Sequence, residues 1–271
     1  MSAVVAVSPR APAARQLGRP AALRYFRAGT GDARQVLPTE HATTRLPNAC
    51  GATQGRRSGA LGAEGVPDLE TLILDRCAGE IASAAGRGAV VVEFGSGAST
   101  KTACLLAALD APKAYRAIDR SAASLAAHAA ALRARFPSLP VDRVRADFTG
   151  PAAAWSAHES AGQCLLAFLP DSRIGRFAAD AARDFLRRLA LWAGRDALLV
   201  IGADAGCGPH ALESRPPRSC PPDRRASIHD PGRRAYCLPQ FEALARATGW
   251  QHAQFWADGQ GRFGVHVLAP S

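Results

Sequence analysis

The sequence has no apolar run long enough to cross a membrane. Its longest, Ala103 to Leu109 and Leu165 to Leu169, fall far short of the roughly 20 residues a spanning helix requires. It also has no Cys-x-x-Cys pair: the seven cysteines stand at 50, 77, 104, 164, 207, 220 and 237. An odd number without paired spacing argues against a disulfide framework or a zinc knuckle, and with no secretory apolar segment before them it points to a reducing, cytoplasmic setting. The seven histidines add no ligand spacing, so no metal is expected. Lysine is nearly absent. Of 33 basic residues only Lys101 and Lys113 are lysines, and the formal charge of +10 rests on arginines scattered through an Ala-rich and Gly-rich chain. Such a bias speaks to solubility and encounter rather than to a selected nucleic-acid face, so neither nucleic acid nor membrane is expected as a partner.

What is present is enough for a globular protein: 271 residues, 48% hydrophobic and 21% charged, can bury one large core. Residues 1–66 show no sustained period of 2 or 3.6 and are rich in Arg, Pro and Gly, which predicts a poorly ordered tail, with a targeting peptide as the alternative. From residue 67 to 271 the texture is that of a folded domain. Asp68 can cap a helix running toward Ala85 with Leu72, Ile73, Cys77 and Ile81 on one stripe, and Gly86 can end it. Ala89 to Phe94 then reads as a strand buried on both faces.

The alternation continues with helices at Ser99–Leu109 and Ser121–Phe136 and strands at Ala114–Ile118 and Val141–Val144. Beyond it come strands at Gln163–Leu169 and Ala197–Gly202 around a helix at Gly175–Ala193. An Arg/Pro-rich irregular insertion at about 205–235 precedes a helix at Pro239–Thr248 and two strands separated only by Ala257 to Gly261. Strands alternating with helices require right-handed crossovers. The expected fold is therefore a doubly wound, mainly parallel α/β sheet, Rossmann-like, closed by a C-terminal antiparallel hairpin.

The sharpest chemical signal is the strand that ends in Glu93-Phe94-Gly95-Ser96-Gly97 and turns into a helix. Gly95 and Gly97 permit positive φ and close approach of a ligand, and the free N–H groups of the next helix attract negative charge. Residues Gly95 to Thr102 match a phosphate-cradling loop except at Thr100, where glycine is needed, and the same residue spoils a nicotinamide fingerprint. Glu93-x-Gly95-x-Gly97 remains, the opening of an S-adenosylmethionine site in class I methyltransferases. Asp119, ending the second strand, can accept from both ribose hydroxyls or cap the following helix. Asp147, after the third strand, can accept from the adenine amino group with Phe148 against the ring, or simply make a turn.

These motifs resemble the S-adenosylmethionine-dependent histidine Nα-methyltransferases of ergothioneine biosynthesis, over roughly Glu70 to Ser271. Glu93 to Thr102 is similar to the family's Glu-Leu-Gly-Ser-Gly-Ser-x-x-Lys-Thr. Ile118-Asp119-Arg120-Ser121, Ala146-Asp147-Phe148, Ala167 to Phe177, Phe255 to Asp258 and Phe263 to Leu268 continue the likeness. The resemblance implies that Gly95, Ser96 and Lys101 hold the methionine end of S-adenosylmethionine, and that Asp119, Asp147 and Phe148 hold its nucleoside.

The substrate side departs from the family. After the fourth strand Asp171, Arg173 and Arg176 stand where Pro-Gly-Ser-x-Ile-Gly-Asn-Phe has Gly, the variable position and Asn. In the later stretch Pro231 and Arg233 replace the Glu and Ser that bind imidazole. Asp171, Arg176 and Tyr236 are the candidate substrate contacts, and no catalytic base is named. A methyl sulfonium is already activated, so the enzyme chiefly aligns an amine with it. The implied function is methyl transfer to a small amine or amino acid by a monomer, with histidine as the family default. The alternative is a non-catalytic relative that keeps the cofactor fold. His266, within an apolar strand, reads as a core histidine.

Overall fold

A computed structural model of the chain describes residues 24–26, 68–97, 99–151, 155, 164–205 and 234–271. Its centre is one mixed sheet with strand order β1-β7-β8-β6-β5-β2-β3-β4. The strands are β1 (Arg24–Phe26), β2 (Val90–Phe94), β3 (Ala114–Asp119), β4 (Val141–Arg145), β5 (Leu165–Leu169), β6 (Leu198–Asp204), β7 (Trp250–Asp258) and β8 (Phe263–Pro270). Neighbours from β6 through β4 run parallel, whereas β8 is antiparallel to both β6 and β7. This is the doubly wound sheet with a terminal hairpin that the residue pattern predicts.

The central strands β2, β5 and β6 are buried along nearly their whole length because both faces are covered. Val91, Tyr115, Leu166 and Val200 point into one core, with Ile73, Leu74, Cys77 and Ile81 of α1 (Leu69–Ala85), Leu105 and Leu106 of α2 (Ser99–Ala108), and Leu125 and Leu132 of α3 (Ala122–Arg135). The alternate residues Val92, Phe94, Leu165, Leu169 and Ile201 point into the other, with Phe185, Leu186 and Leu189 of α4 (Ala179–Ala193) and Phe241 of α5 (Leu238–Arg246). Successive strand residues face opposite sides, so a two-sided core leaves no polar alternation to read. Asp68 caps α1 by accepting from the Thr71 N–H at 3.0 Å, and Gly86 ends it at φ 69°.

Three differences from the expected elements have local causes. The helix expected from Gly175 starts at Ala179, and Arg173–Arg176 forms a separate 3-10 turn. Gly175 accepts from the Arg234 N–H at 2.7 Å and lies so close to the Arg234 carbonyl that a Cβ would collide with it, so this backbone is committed to a neighbour. The terminal strands run longer than expected, because Asp258 ties the hairpin turn by accepting from the N–H groups of Arg262 and Phe263. Finally, β1 adds parallel to Trp256–Asp258 from within a stretch without periodicity; three residues are too few to show one. The rest of 1–66 and the middle of the 205–235 insertion lie outside the described residues.

Candidate functional site

After β2 the chain moves outward through β3 to β4, then crosses back to β5 and β6 on the other side of β2. The order therefore reverses between β2 and β5, where open parallel sheets leave a crevice beyond the carboxyl ends of their strands. Gly95, Asp119 and Asp147 stand there on adjacent strand tips. The Gly95 N–H donates to Ile118 O at 2.8 Å, which sets the glycine loop beside Asp119, and the Ala146 N–H donates to Asp119 O at 3.0 Å, which sets Asp147 one strand further on.

Gly95 has φ +93°, a conformation that a side chain resists. The space a Cβ would need is taken by the guanidinium of Arg173, with Nη1 2.6 Å from that position. Ser96 is 4% exposed, and its Oγ has no hydrogen-bond partner among the described residues. Gly97 is exposed at the loop's outer edge.

Glu93 lies beneath this loop, fully buried. Its Oε2 accepts from the Thr102 hydroxyl at 2.5 Å and the Tyr115 hydroxyl at 2.6 Å, while Oε1 has no hydrogen-bond partner among the described residues. Burial and the Glu93 carboxylate raise the Tyr115 hydroxyl well above its ordinary value, so it stays a donor. His128 Nε2 stands 2.7 Å from the same hydroxyl oxygen. With the tyrosine's one proton given to Glu93, the histidine must donate there. Glu93 thus joins β2 to α2 and α3 at the base of the loop.

Asp119 is half-buried. Its Oδ1 accepts from the Ser121 N–H at 2.8 Å, and no partner is found for Oδ2 among the described residues. Ser121 itself caps α3 by accepting from the Ser124 N–H, so the aspartate is not needed as the helix cap. Asp147 folds its Oδ1 into a local turn, accepting from the Thr149 N–H at 2.9 Å and hydroxyl at 2.6 Å. Those two bonds hold its carboxyl below the usual value, with the Arg120 guanidinium 3.6 Å from Oδ2 adding to the effect. Phe148 is half-buried and meets Phe94, Phe185 and Phe177 edge-on, with centroids 6.0, 6.0 and 6.2 Å away.

Lys101 is the centre of a cluster that the sequence did not disclose. It pairs with Asp171, with Glu70 at 2.8 Å and with Asp68 at 3.3 Å. Glu70, in the first turn of α1, is 1% exposed and also accepts from the Asp171 N–H at 2.8 Å. Its carboxylate packs where Gly202 of β6 lacks a side chain. Burial raises the Glu70 carboxyl to about 7, opposed by Lys101 and assisted by the Asp171 charge. For Lys101 burial acts downward, but Glu70 and Asp171 outweigh it and the ammonium is raised. Asp171 and Ser172 sit at φ 63° and 51°, a left-handed pair of non-glycine residues at the tip of β5. Such strain persists only where neighbours fix it, here the Asp171 N–H bonded to Glu70 and the Asp204 N–H bonded to Ser172 Oγ at 2.8 Å.

Of the candidate substrate residues, Asp171 is thus joined to Lys101 and Arg176 is exposed on the 3-10 turn. Tyr236 is anchored through its N–H to Asp204 O at 2.8 Å; its hydroxyl is buried without a hydrogen-bond partner among the described residues, and burial raises its proton affinity. His266 is a core residue, stacked on Phe241 at 3.9 Å with Nδ1 3.0 Å from His252 Nε2. Glu70 and Arg173 had no local signal: each reaches the site from an element far along the chain. Among the described residues no group of three or more His, Cys, Asp or Glu could hold a metal ion, and no helix is long and apolar enough to span a membrane.

A family model described as histidine-specific methyltransferase, SAM-dependent, matches residues 66–214. No curated protein matches the sequence. Among solved structures the chain is similar to the mitomycin 7-O-methyltransferase MmcR, at 17% identity and TM-score 0.52 over 73% of this chain and 54% of that one. The pyocyanin biosynthetic protein PhzM matches at 18% and 0.51, over 68% and 51%. The small RNA methyltransferase HEN1 matches at 14% and 0.52, over 81% and 27%. The chain spans about half the length of the first two. At these identities the likeness establishes the fold, that of class I S-adenosylmethionine-dependent methyltransferases.

Proposed function

The chain belongs to the histidine-specific, S-adenosylmethionine-dependent methyltransferase family, and from that membership we propose that it transfers a methyl group to the nitrogen of a small amine or amino acid. The observation that carries this reading is the alignment of Gly95, Asp119 and Asp147 on three neighbouring strand tips at the point where strand order reverses. The residues present suit the cofactor. A glycine loop with a buried, unpartnered Ser96 hydroxyl, an aspartate with one oxygen spare and an aromatic beside a second aspartate supply groups for a polar tail, a ribose and a base.

When bound, the cofactor supplies a methyl sulfonium already activated for transfer. The chain's own part is positioning. Asp119 would accept from the ribose hydroxyls and Asp147 with Phe148 would bracket the base. Glu93 keeps the loop in register through Thr102 and Tyr115. Orientation of this kind is the main catalytic lever for a transfer that needs little acid–base help.

On the acceptor side Asp171 follows the tip of β5 and Tyr236 is tied to the tip of β6, and the imidazole-reading Glu and Ser of the family are Pro231 and Arg233 here. A pocket that discriminates through buried hydrogen bonds loses selectivity steeply when those partners are replaced. We therefore place the acceptor in the wider class of small amines, with histidine as one member of the panel to be assayed.

Titration calorimetry with S-adenosylmethionine tests the site. Asp119→Ala should weaken binding by about 1.5–3 kcal/mol, the worth of hydrogen bonds to a charged acceptor, and an unchanged affinity in a folded variant refutes the assignment. Mass-spectrometric assay of an amine panel tests the activity. Cofactor binding with no methylated product from any amine would favour the non-catalytic alternative.

A further inference from the structure

The glycine loop carries a cation that the motif does not assign. Arg173 opens the 3-10 turn after β5, and its guanidinium lies on the loop in the space left by the missing side chain of Gly95. Its Nη2 is 3.6 Å from where a Cβ of Gly97 would stand, so the group spans both glycines. Nε has no hydrogen-bond partner among the described residues, and Arg173 pairs with Asp171 only loosely, Oδ2 lying 4.0 Å from Nη2, beyond hydrogen-bond distance. In the same loop the Ser96 Oγ is buried and has no hydrogen-bond partner among the described residues, and α2 begins two residues after Gly97 with its positive end toward the loop.

Lys101, the cation of the motif, is spent. Its ammonium is enclosed by the carboxylates of Asp171, Glu70 and Asp68, three acids about one base. An incoming carboxylate would meet three acids there, whereas at Arg173 it would meet only Asp171, 4.0 Å off, and a guanidinium with donors to spare. Guanidinium also suits carboxylate better than ammonium does, because its planar fork can make two parallel bonds.

We propose that Arg173, together with the Ser96 hydroxyl, receives the α-carboxylate of the cofactor's methionine end, in place of Lys101. This rests on the cofactor reading above and changes which residue reads the tail. Lys101 becomes a structural cation that ties α1, α2 and the β5 tip together, and Arg173 becomes the residue by which the site distinguishes a nucleoside that bears an amino-acid tail from one that does not.

The experiment is calorimetric titration of the full chain, wild type and Arg173→Met, with two ligands: S-adenosylhomocysteine, which carries the tail, and 5′-methylthioadenosine, which lacks it. Arg173→Met should weaken S-adenosylhomocysteine by about 10- to 100-fold, the range for hydrogen bonds to a charged group, and leave 5′-methylthioadenosine within about 2-fold. Arg173→Lys should fall between, since it restores charge without the fork. It also serves as the second variant should methionine unfold the loop. Equal losses for both ligands would make Arg173 a loop-packing residue and overturn the proposal. Tighter binding of S-adenosylhomocysteine would make it a plug and overturn it too. Unchanged cofactor affinity with a raised KM for an amino-acid acceptor would move its carboxylate to the substrate and overturn the cofactor assignment alone. If the wild type binds neither nucleoside, the cofactor reading itself falls, and this proposal with it.

Discussion

Replacing Glu70 by glutamine should change how stability depends on pH in a way that few surface substitutions could imitate. Burial raises this carboxyl from about 4.5 to about 7 in the folded chain. The folded protein therefore holds the Glu70 proton across a window in which the unfolded chain has lost it. Below about pH 4.5 both states are protonated, and the group favours neither. As pH rises through the window, stability drains away, because ionisation is cheap in water and costly in the cluster; above about 7 both states are ionised and the loss is complete. At about 1.4 kcal/mol per pH unit, the wild type should lose about 3 kcal/mol from this group alone.

Glutamine has the same shape. It can still accept from the Asp171 N–H and from Lys101, each 2.8 Å from the native Oε2, but it does not titrate. Urea unfolding of both proteins at half-unit intervals from about pH 4 to 8 would show the variant gaining relative to wild type by about 3 kcal/mol, with the rise confined to the window and a plateau above it. The depressed basicity of His252 and His266 works in the opposite direction in acid, but it is common to both proteins and cancels in the difference. A flat or falling difference would mean that Lys101 keeps Glu70 ionised throughout, and the account of the cluster as three acids crowding one base would be wrong.

Two further substitutions probe the fold that carries the site. Phe94→Ala removes a fully buried ring from the end of β2, where Trp155, Phe185, Phe148 and Trp192 meet it edge-on at 5.1 to 6.1 Å. Chemical denaturation should show a loss of about 3–5 kcal/mol, and a loss below 1 would deny that this aromatic cluster supports the glycine loop. Ala111→Gly relieves an exposed alanine held at φ 45°. The left-handed strain removed exceeds glycine's entropic cost, so stability should rise by about 0.5–1 kcal/mol, and a fall in the melting temperature would contradict it.

Much of this architecture was legible because its causes are local. Asp68 and Gly86 bracket α1 through bonds and torsions within three or four residues of themselves. Gly95 announces a loop because its own φ demands it, and Asp119 and Asp147 follow their strands at intervals that any doubly wound sheet would impose. Each also kept part of its plainer role: Asp119 accepts from Ser121, and Asp147 makes its turn with Thr149. The start of α4 was less legible because Gly175 answers to Arg234, 59 positions on.

The periodicities and glycines of the chain were enough to dictate a parallel sheet with a glycine loop over the crevice at the end of β2, since burial on two faces and positive φ are properties of short segments. The assignment of charges inside that crevice belonged to the tertiary structure alone. Glu70 and Asp171 are separated by 101 positions and Lys101 and Asp171 by 70. Only the strand order, by placing β5 against β2, brings Asp171 to Lys101 and lays Arg173 on Gly95. A lysine in a motif looks available in one dimension; whether its charge is already spoken for depends on what the fold packs around it.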